Sequence, residues 1–161
     1  MQVIQIKDPF DCIIKWRITN ACNYKCSYCE PSKWPKIGEV IEDIEIIIDK
    51  CPHNNIKIDV VGGEPSLLPL SKMLPLSHPK VKSINITTNL SQSVEYYKEL
   101  LDTGKVTITS SFHEEFCELK DFIDKVIKLK DDTKAGTTKA EIQSEILLCK
   151  RFQVRLKTSC K

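Results

Sequence analysis

With 161 residues the chain is expected to form one domain, since domains cluster around roughly 100 to 150 residues. A composition of 41% apolar and 29% charged residues with only 5 glycines is that of a globular protein with a core, which excludes collagen-like, low-complexity and wholly disordered readings. The 24 Lys and Arg nearly cancel the 22 Asp and Glu, so charge indicates neither a nucleic-acid nor a membrane partner.

Alternating short apolar runs and longer amphipathic segments predict βα units and a parallel sheet. The first strand covers Cys12 to Ile18, and a helix near Glu39 to Lys50 presents Val40, Ile44, Ile47, Ile48 and Cys51 on one face. The second strand, Ile56 to Val61, leads into a segment broken by Pro69 and Pro75. Val81 to Thr88 is the third strand, followed by a helix through Val94, Tyr97, Leu100 and Leu101 that stops at Gly104. Val106 to Ser110 is the fourth strand, and Leu119, Phe122, Ile123, Val126 and Ile127 mark the helix after it. Beyond Asp131 the pattern weakens: a polar stretch at Thr133 to Thr138, then a helix over Ala140 to Cys149 and a strand over Phe152 to Leu156. The expected class is therefore α/β, a partial parallel (β/α) barrel of about four to five units, well short of the roughly 250 residues of an eight-unit barrel. Residues 1–131 read as the core and 132–161 as a tail of uncertain structure.

No apolar run reaches the roughly 20 residues of a membrane span, and residues 1–11 lack a signal-type stretch, so a cytoplasmic location is expected. In that compartment 8 cysteines point to metal or redox chemistry rather than to disulfides. Cys22, Cys26 and Cys29 lie within eight residues, spaced C-x3-C-x2-C on the loop after the first strand. Three thiolates there would fix an iron–sulfur cluster with one iron left open. The same spacing would also serve a zinc knot completed by Cys12, Cys51 or His53. Cys12, Cys51, Cys117, Cys149 and Cys160 lack the close spacing of a second cluster and otherwise read as core thiols, and Trp16 and Trp34 read as packing residues.

The cysteine loop, with aromatic Tyr28 before its last cysteine, resembles the cluster motif of the radical S-adenosylmethionine (SAM) enzymes. Gly62-Gly63-Glu64-Pro65 directly after the second strand resembles that family's GGE-type motif, though Gly-Gly before Pro also makes an ordinary tight turn. The 32 residues between Cys29 and Gly62 hold one crossover, so both loops would emerge on the same end of the sheet.

The resemblance implies a (β/α)6-type core, a [4Fe-4S] cluster on Cys22, Cys26 and Cys29, and SAM on the remaining iron. Reductive cleavage of SAM and hydrogen-atom abstraction from an unknown substrate would follow. It further implies that Gly62, Gly63, Glu64 and Pro65 meet the methionyl amino group, and that Tyr28, Thr88, Asn89, Ser110 and Ser111 are candidates for the rest of SAM. A small-molecule or peptide substrate and a one-electron donor such as flavodoxin or ferredoxin are the implied partners.

His113 is a candidate substrate-side group, or a solvated loop histidine beside neighbouring glutamates. Family members continue through fifth and sixth βα units that are not recognisable after Asp131, so the chain reads as C-terminally shortened. A non-catalytic fragment or degenerate homologue that keeps the cluster loop is the alternative, beside the zinc-binding module.

Overall fold

In the computed structural model, which describes residues 9–29, 44–72, 78–134 and 142–145, alternate side chains of each long strand are buried. The strands are β1 (Cys12–Thr19), β2 (Ile56–Gly62), β3 (Val81–Thr88), β4 (Val106–Ser111) and β5 (Ile142–Glu145). They lie side by side in chain order, and each neighbouring pair is parallel. Among the described strands the order never reverses, so they form no switch point of the doubly wound kind. The result is the expected α/β class and partial parallel barrel.

Helices α1 (Ile44–Lys50), α2 (Val94–Leu101) and α3 (Leu119–Lys134) fall in three of the four crossovers. Ser93 starts α2 by accepting the Tyr96 N–H on its Oγ at 3.3 Å, which satisfies one of the orphan donors of the first turn. Past its end Gly104 takes φ 71°, where a residue without Cβ is unstrained. One face of the sheet, carrying Trp16, Ile18, Ile58, Val60, Ile84, Ile86 and Ile108, joins Tyr97, Leu100, Phe122 and Leu129 of the helices in a single core. On α3 the core-facing residues are Phe122, Val126 and Leu129, whereas Leu119, Ile123 and Ile127 of the expected stripe stay exposed.

The other face of the sheet is polar. By register Lys15, Asp59, Asn85 and Thr107 form one row across four strands. Thr107 and Thr109 both donate to Asn85 Oδ1, at 3.2 and 2.9 Å, and Lys57 pairs with Asp59 at 3.2 Å. Arg17, Thr87 and Ser111 share this face, none of them buried. A packed parallel sheet is ordinarily apolar on both sides. Here one side is built for the core and the other for polar company.

Two expectations change at the C-terminal side. The helix expected over Ala140 to Cys149 is replaced at Ile142–Glu145 by β5, whose residues pair with Ile108 to Ser111. Four residues are too few to carry a period, and the free edge of β4 decides their conformation. The start of the helix expected from Glu39 and the strand expected over Phe152 to Leu156 lie outside the described residues. Among the described residues no helix is long and apolar enough to cross a membrane.

The two faces predict opposite mutational responses. Ile58→Ala, at a fully buried position, should cost about 2–5 kcal/mol of stability, whereas Lys15→Ala on the exposed polar face should change it by about 0.5 kcal/mol or less. Urea unfolding of the two variants measures both.

Candidate metal centre

The cysteine loop begins where β1 ends, and the ends of the next three strands grip it in turn. Thr19 opens the turn by accepting the Ala21 N–H on its Oγ1 at 3.0 Å. From the end of β2, Gly63 N–H donates to Thr19 O at 2.7 Å and Glu64 N–H to Ala21 O at 2.8 Å. This contact explains both glycines. A Cβ on Gly62 would stand 2.2 Å from Thr19 O, and one on Gly63 would stand 2.1 Å from Ala21 O. On the side where a Cβ would stand, both glycines are packed against the backbone of the cysteine loop itself.

Glu64 then turns its side chain into the protein, where it is 1% exposed. Its Oε1 accepts from Ser66 N–H at 3.0 Å and from the Thr88 hydroxyl at 2.6 Å, and its Oε2 accepts from Asn89 N–H at 2.6 Å. Glu64 thereby caps the short 3-10 turn Pro65–Leu67 and fastens the end of β2 to the end of β3. Asn89 continues the chain of contacts, donating from Nδ2 to Asn23 Oδ1 at 2.9 Å, with Cys22 Sγ at 4.0 Å.

The third grip comes from the residues after β4. His113 Nδ1 lies 3.3 Å from Cys26 Sγ and 2.6 Å from the Tyr28 hydroxyl. Glu115 Oε2 accepts from Ser27 N–H at 2.8 Å, and its other oxygen accepts from the Ser27 hydroxyl. Phe116 stacks on Tyr24 with ring centroids 4.8 Å apart. Within the loop, Tyr24 N–H donates to Cys22 Sγ at 3.4 Å and Cys29 N–H to Cys26 O at 3.0 Å.

Cys26 is buried while Cys22 and Cys29 are exposed, so the loop turns two thiols outward around a fixed third. Partial desolvation raises the Cys22 and Cys29 thiols above the ordinary cysteine range, helped at Cys22 by the charges of Glu64 and Cys26 and at Cys29 by that of Cys26. Metal ligation at such thiols must release protons. Among the described residues no three His, Cys, Asp or Glu side chains converge on a point where one metal ion would sit. A zinc ion asks for that convergence, with sulfurs about 2.3 Å from one centre. A cubane cluster instead takes each thiolate on a different iron. The further zinc candidates Cys12 and Cys51 neighbour each other at the opposite end of the sheet, at the start of β1 and the end of α1.

The remaining sequence candidates divide by face. Thr88 and Ser110 are 2% and 0% exposed on the helix-covered side, and Thr88 is linked to the loop through Glu64. Ser111 lies on the polar face, Asn89 beside Cys22, and Tyr28 on the loop with its ring open to solvent at 37%. Pro65 is buried at the start of its turn. Sequence reasoning missed Asn23, Tyr24, Glu115 and Phe116. Their partners are 66 to 92 positions away by residue number, and no local pattern announces such pairs.

A family model described as the radical SAM superfamily matches residues 16–137. The S-adenosylmethionine-dependent nucleotide dehydratase of Fibrobacter sp. (strain UWH6) is 32% identical over 117 residues, covering 63% of this chain and 34% of that protein. The GTP 3',8-cyclase of Alkaliphilus metalliredigens (strain QYMF) is 32% identical over 119 residues, covering 66% of this chain and 37% of that protein. The chain thus spans little more than a third of the length of these curated relatives. Among solved structures, native anSMEcpe with bound AdoMet superposes with a TM-score of 0.56 at 19% identity, over 84% of this chain and 43% of that one. That likeness concerns the fold.

The glycine contact generates a test. Gly63→Ala forces a methyl group against Ala21 O, so the cysteine loop must move, and stability and iron uptake should fall together. Thermal unfolding alongside iron analysis after reconstitution measures both. A variant with wild-type stability and full iron content would show that the loop tolerates the displacement.

Proposed function

The chain belongs to the radical SAM superfamily, and from that membership we propose that it is a radical SAM enzyme whose [4Fe-4S] cluster is held by Cys22, Cys26 and Cys29. One observation carries the reading. The ends of β2, β3 and β4 all fasten onto the single loop that holds three closely spaced cysteines. When bound, such a cluster supplies the electron that breaks the S–C5′ bond of SAM and yields the 5′-deoxyadenosyl radical that takes a hydrogen atom from substrate.

The chain's own part is to bind and orient. The Glu64 carboxylate is buried under three donors, so its part is to fix the end of β2, beside which the SAM ammonium would lie. Gly62, Gly63 and Pro65 set the position of that carboxylate, and Thr88 backs it from the helix side, on which Ser110 is also buried. Ser111 and Tyr28, neither of them buried, with Asn89 beneath them against Cys22, are the polar groups proposed to meet the carboxylate and adenosyl parts of SAM. A flavodoxin- or ferredoxin-class donor is the proposed source of the electron.

For the substrate we propose a phosphorylated nucleoside. The named relatives act on nucleotides, and the polar face offers Lys15 and Arg17 for phosphate with Asn85, Thr87, Thr107 and Thr109 for hydroxyl and base groups. Arg17→Gln should weaken nucleotide binding about tenfold, as loss of a charge-assisted hydrogen bond does, without altering uncoupled SAM cleavage. Equilibrium binding of a nucleoside triphosphate and release of 5′-deoxyadenosine read the two separately.

The cluster assignment is tested by anaerobic reconstitution with iron and sulfide. The wild-type chain should develop a brown chromophore and, with a reductant and SAM, release 5′-deoxyadenosine. Replacing any one of the three cysteines with Ala should remove both. Stoichiometric zinc retained in place of iron would overturn the reading.

A further inference from the structure

We propose that His113 is a positioning residue for the iron–sulfur centre, donating a hydrogen bond from Nδ1 to Cys26 Sγ and so raising the reduction potential of the cluster. The inference rests on the reading above that Cys26 is a cluster ligand.

Its ground is the grip between the segment after β4 and the middle of the cysteine loop. His113 and Cys26 are 87 residues apart in sequence, yet Nδ1 stands 3.3 Å from Sγ. The imidazole has little freedom to leave. It is half-buried, lies parallel to the Tyr28 ring at 6.0 Å and 8°, and meets the edge of Tyr24 at 5.6 Å and 73°. Glu115, two residues on, holds both the N–H and the hydroxyl of Ser27, the neighbour of Cys26. The distance from ring to sulfur is thus fixed from both ends.

The chemistry of the sulfur decides who carries the proton. A ligating thiolate has none, so it only accepts, and a hydrogen bond in this contact requires the tautomer with hydrogen on Nδ1. The Tyr28 hydroxyl, 2.6 Å from the same nitrogen, then competes with the sulfur for that hydrogen. A donor to a cluster thiolate stabilises the reduced form, which carries one more negative charge, over the oxidised form. In the half-reaction the oxidised cluster gains one electron from the external donor. No covalent bond forms or breaks, and the proton stays on Nδ1.

The experiment is a redox titration of the reconstituted full chain, without SAM, followed by the electron paramagnetic resonance of the reduced cluster. His113→Leu removes the donor and should raise the oxidised-to-reduced ratio at a given potential about tenfold, a downward shift of about 59 mV for a one-electron couple. His113→Asn keeps an N–H close to the place of Nδ1 and should restore most of the wild-type value. Tyr28→Phe removes the competitor and should shift the potential upward.

If His113→Leu holds no cluster, the other two decide: His113→Asn near wild type with Tyr28→Phe above it supports the proposal. A His113→Asn variant that falls as far as His113→Leu, a His113→Leu variant that titrates with the wild type, or a Tyr28→Phe variant that does not rise overturns it. A wild-type chain that takes up no iron–sulfur cluster refutes the ligand assignment itself, and this inference with it.

Discussion

Glu64 carries a carboxylate to a place that is 1% exposed, and the chain meets it with donors from Ser66, Thr88 and Asn89 while its own N–H is held by Ala21. Burying such a group without partners costs several kcal/mol, so the three donors have to be in place for the fold to form. They come from a turn and from the end of the neighbouring strand. The carboxylate therefore fixes how far β2 and β3 extend past the sheet, and through Ala21 it fixes where the cysteine loop begins. What lies above the sheet is arranged around this group.

The loop is gripped in the order of the strands. Gly63 and Glu64 hold its first turn, Asn89 holds Asn23, and His113 with Glu115 holds Cys26 to Tyr28. Each grip is a polar contact between the carboxyl end of a parallel strand and the same loop. A parallel sheet brings those ends together, so the topology supplies for three crossovers what a hairpin supplies for one. The alternation within the strands completes the division of labour. Ile58, Ile84 and Ile86 face the helices, while Asp59, Asn85 and Thr87 leave a hydrophilic surface below the loop.

Much of this was legible in the sequence, for reasons that name themselves. Ile84 to Thr88 and Val106 to Ser110 alternate strictly, and the strands over Val81 to Thr88 and from Val106 lie where the sequence pattern puts them. Residues 142–145 were not legible, because a four-residue edge strand is made by its neighbour rather than by its own pattern. Gly62 and Gly63 were visible as a motif, but their cause was not, since the atoms that exclude a side chain belong to Thr19 and Ala21. His113 and Glu115 read locally as a polar loop. Their meaning depends on Cys26 and Ser27, far upstream, and only the closed sheet brings them together.

The grip from β4 also has a consequence in time. A ribosome delivers Cys22, Cys26 and Cys29 early, and at about 5–20 residues per second a nascent chain holds those thiols for several seconds before His113 and Phe116 exist. In that interval the loop has no partner for Cys26, Ser27 or Tyr24, and its sulfurs sample many arrangements. Long-range contacts of this separation form late because the intervening chain must first be ordered. The contacts on Cys26, Ser27 and Tyr24 can thus be completed only after the fourth strand docks, so the loop that begins closest to the start of the sheet is the last to be given its shape.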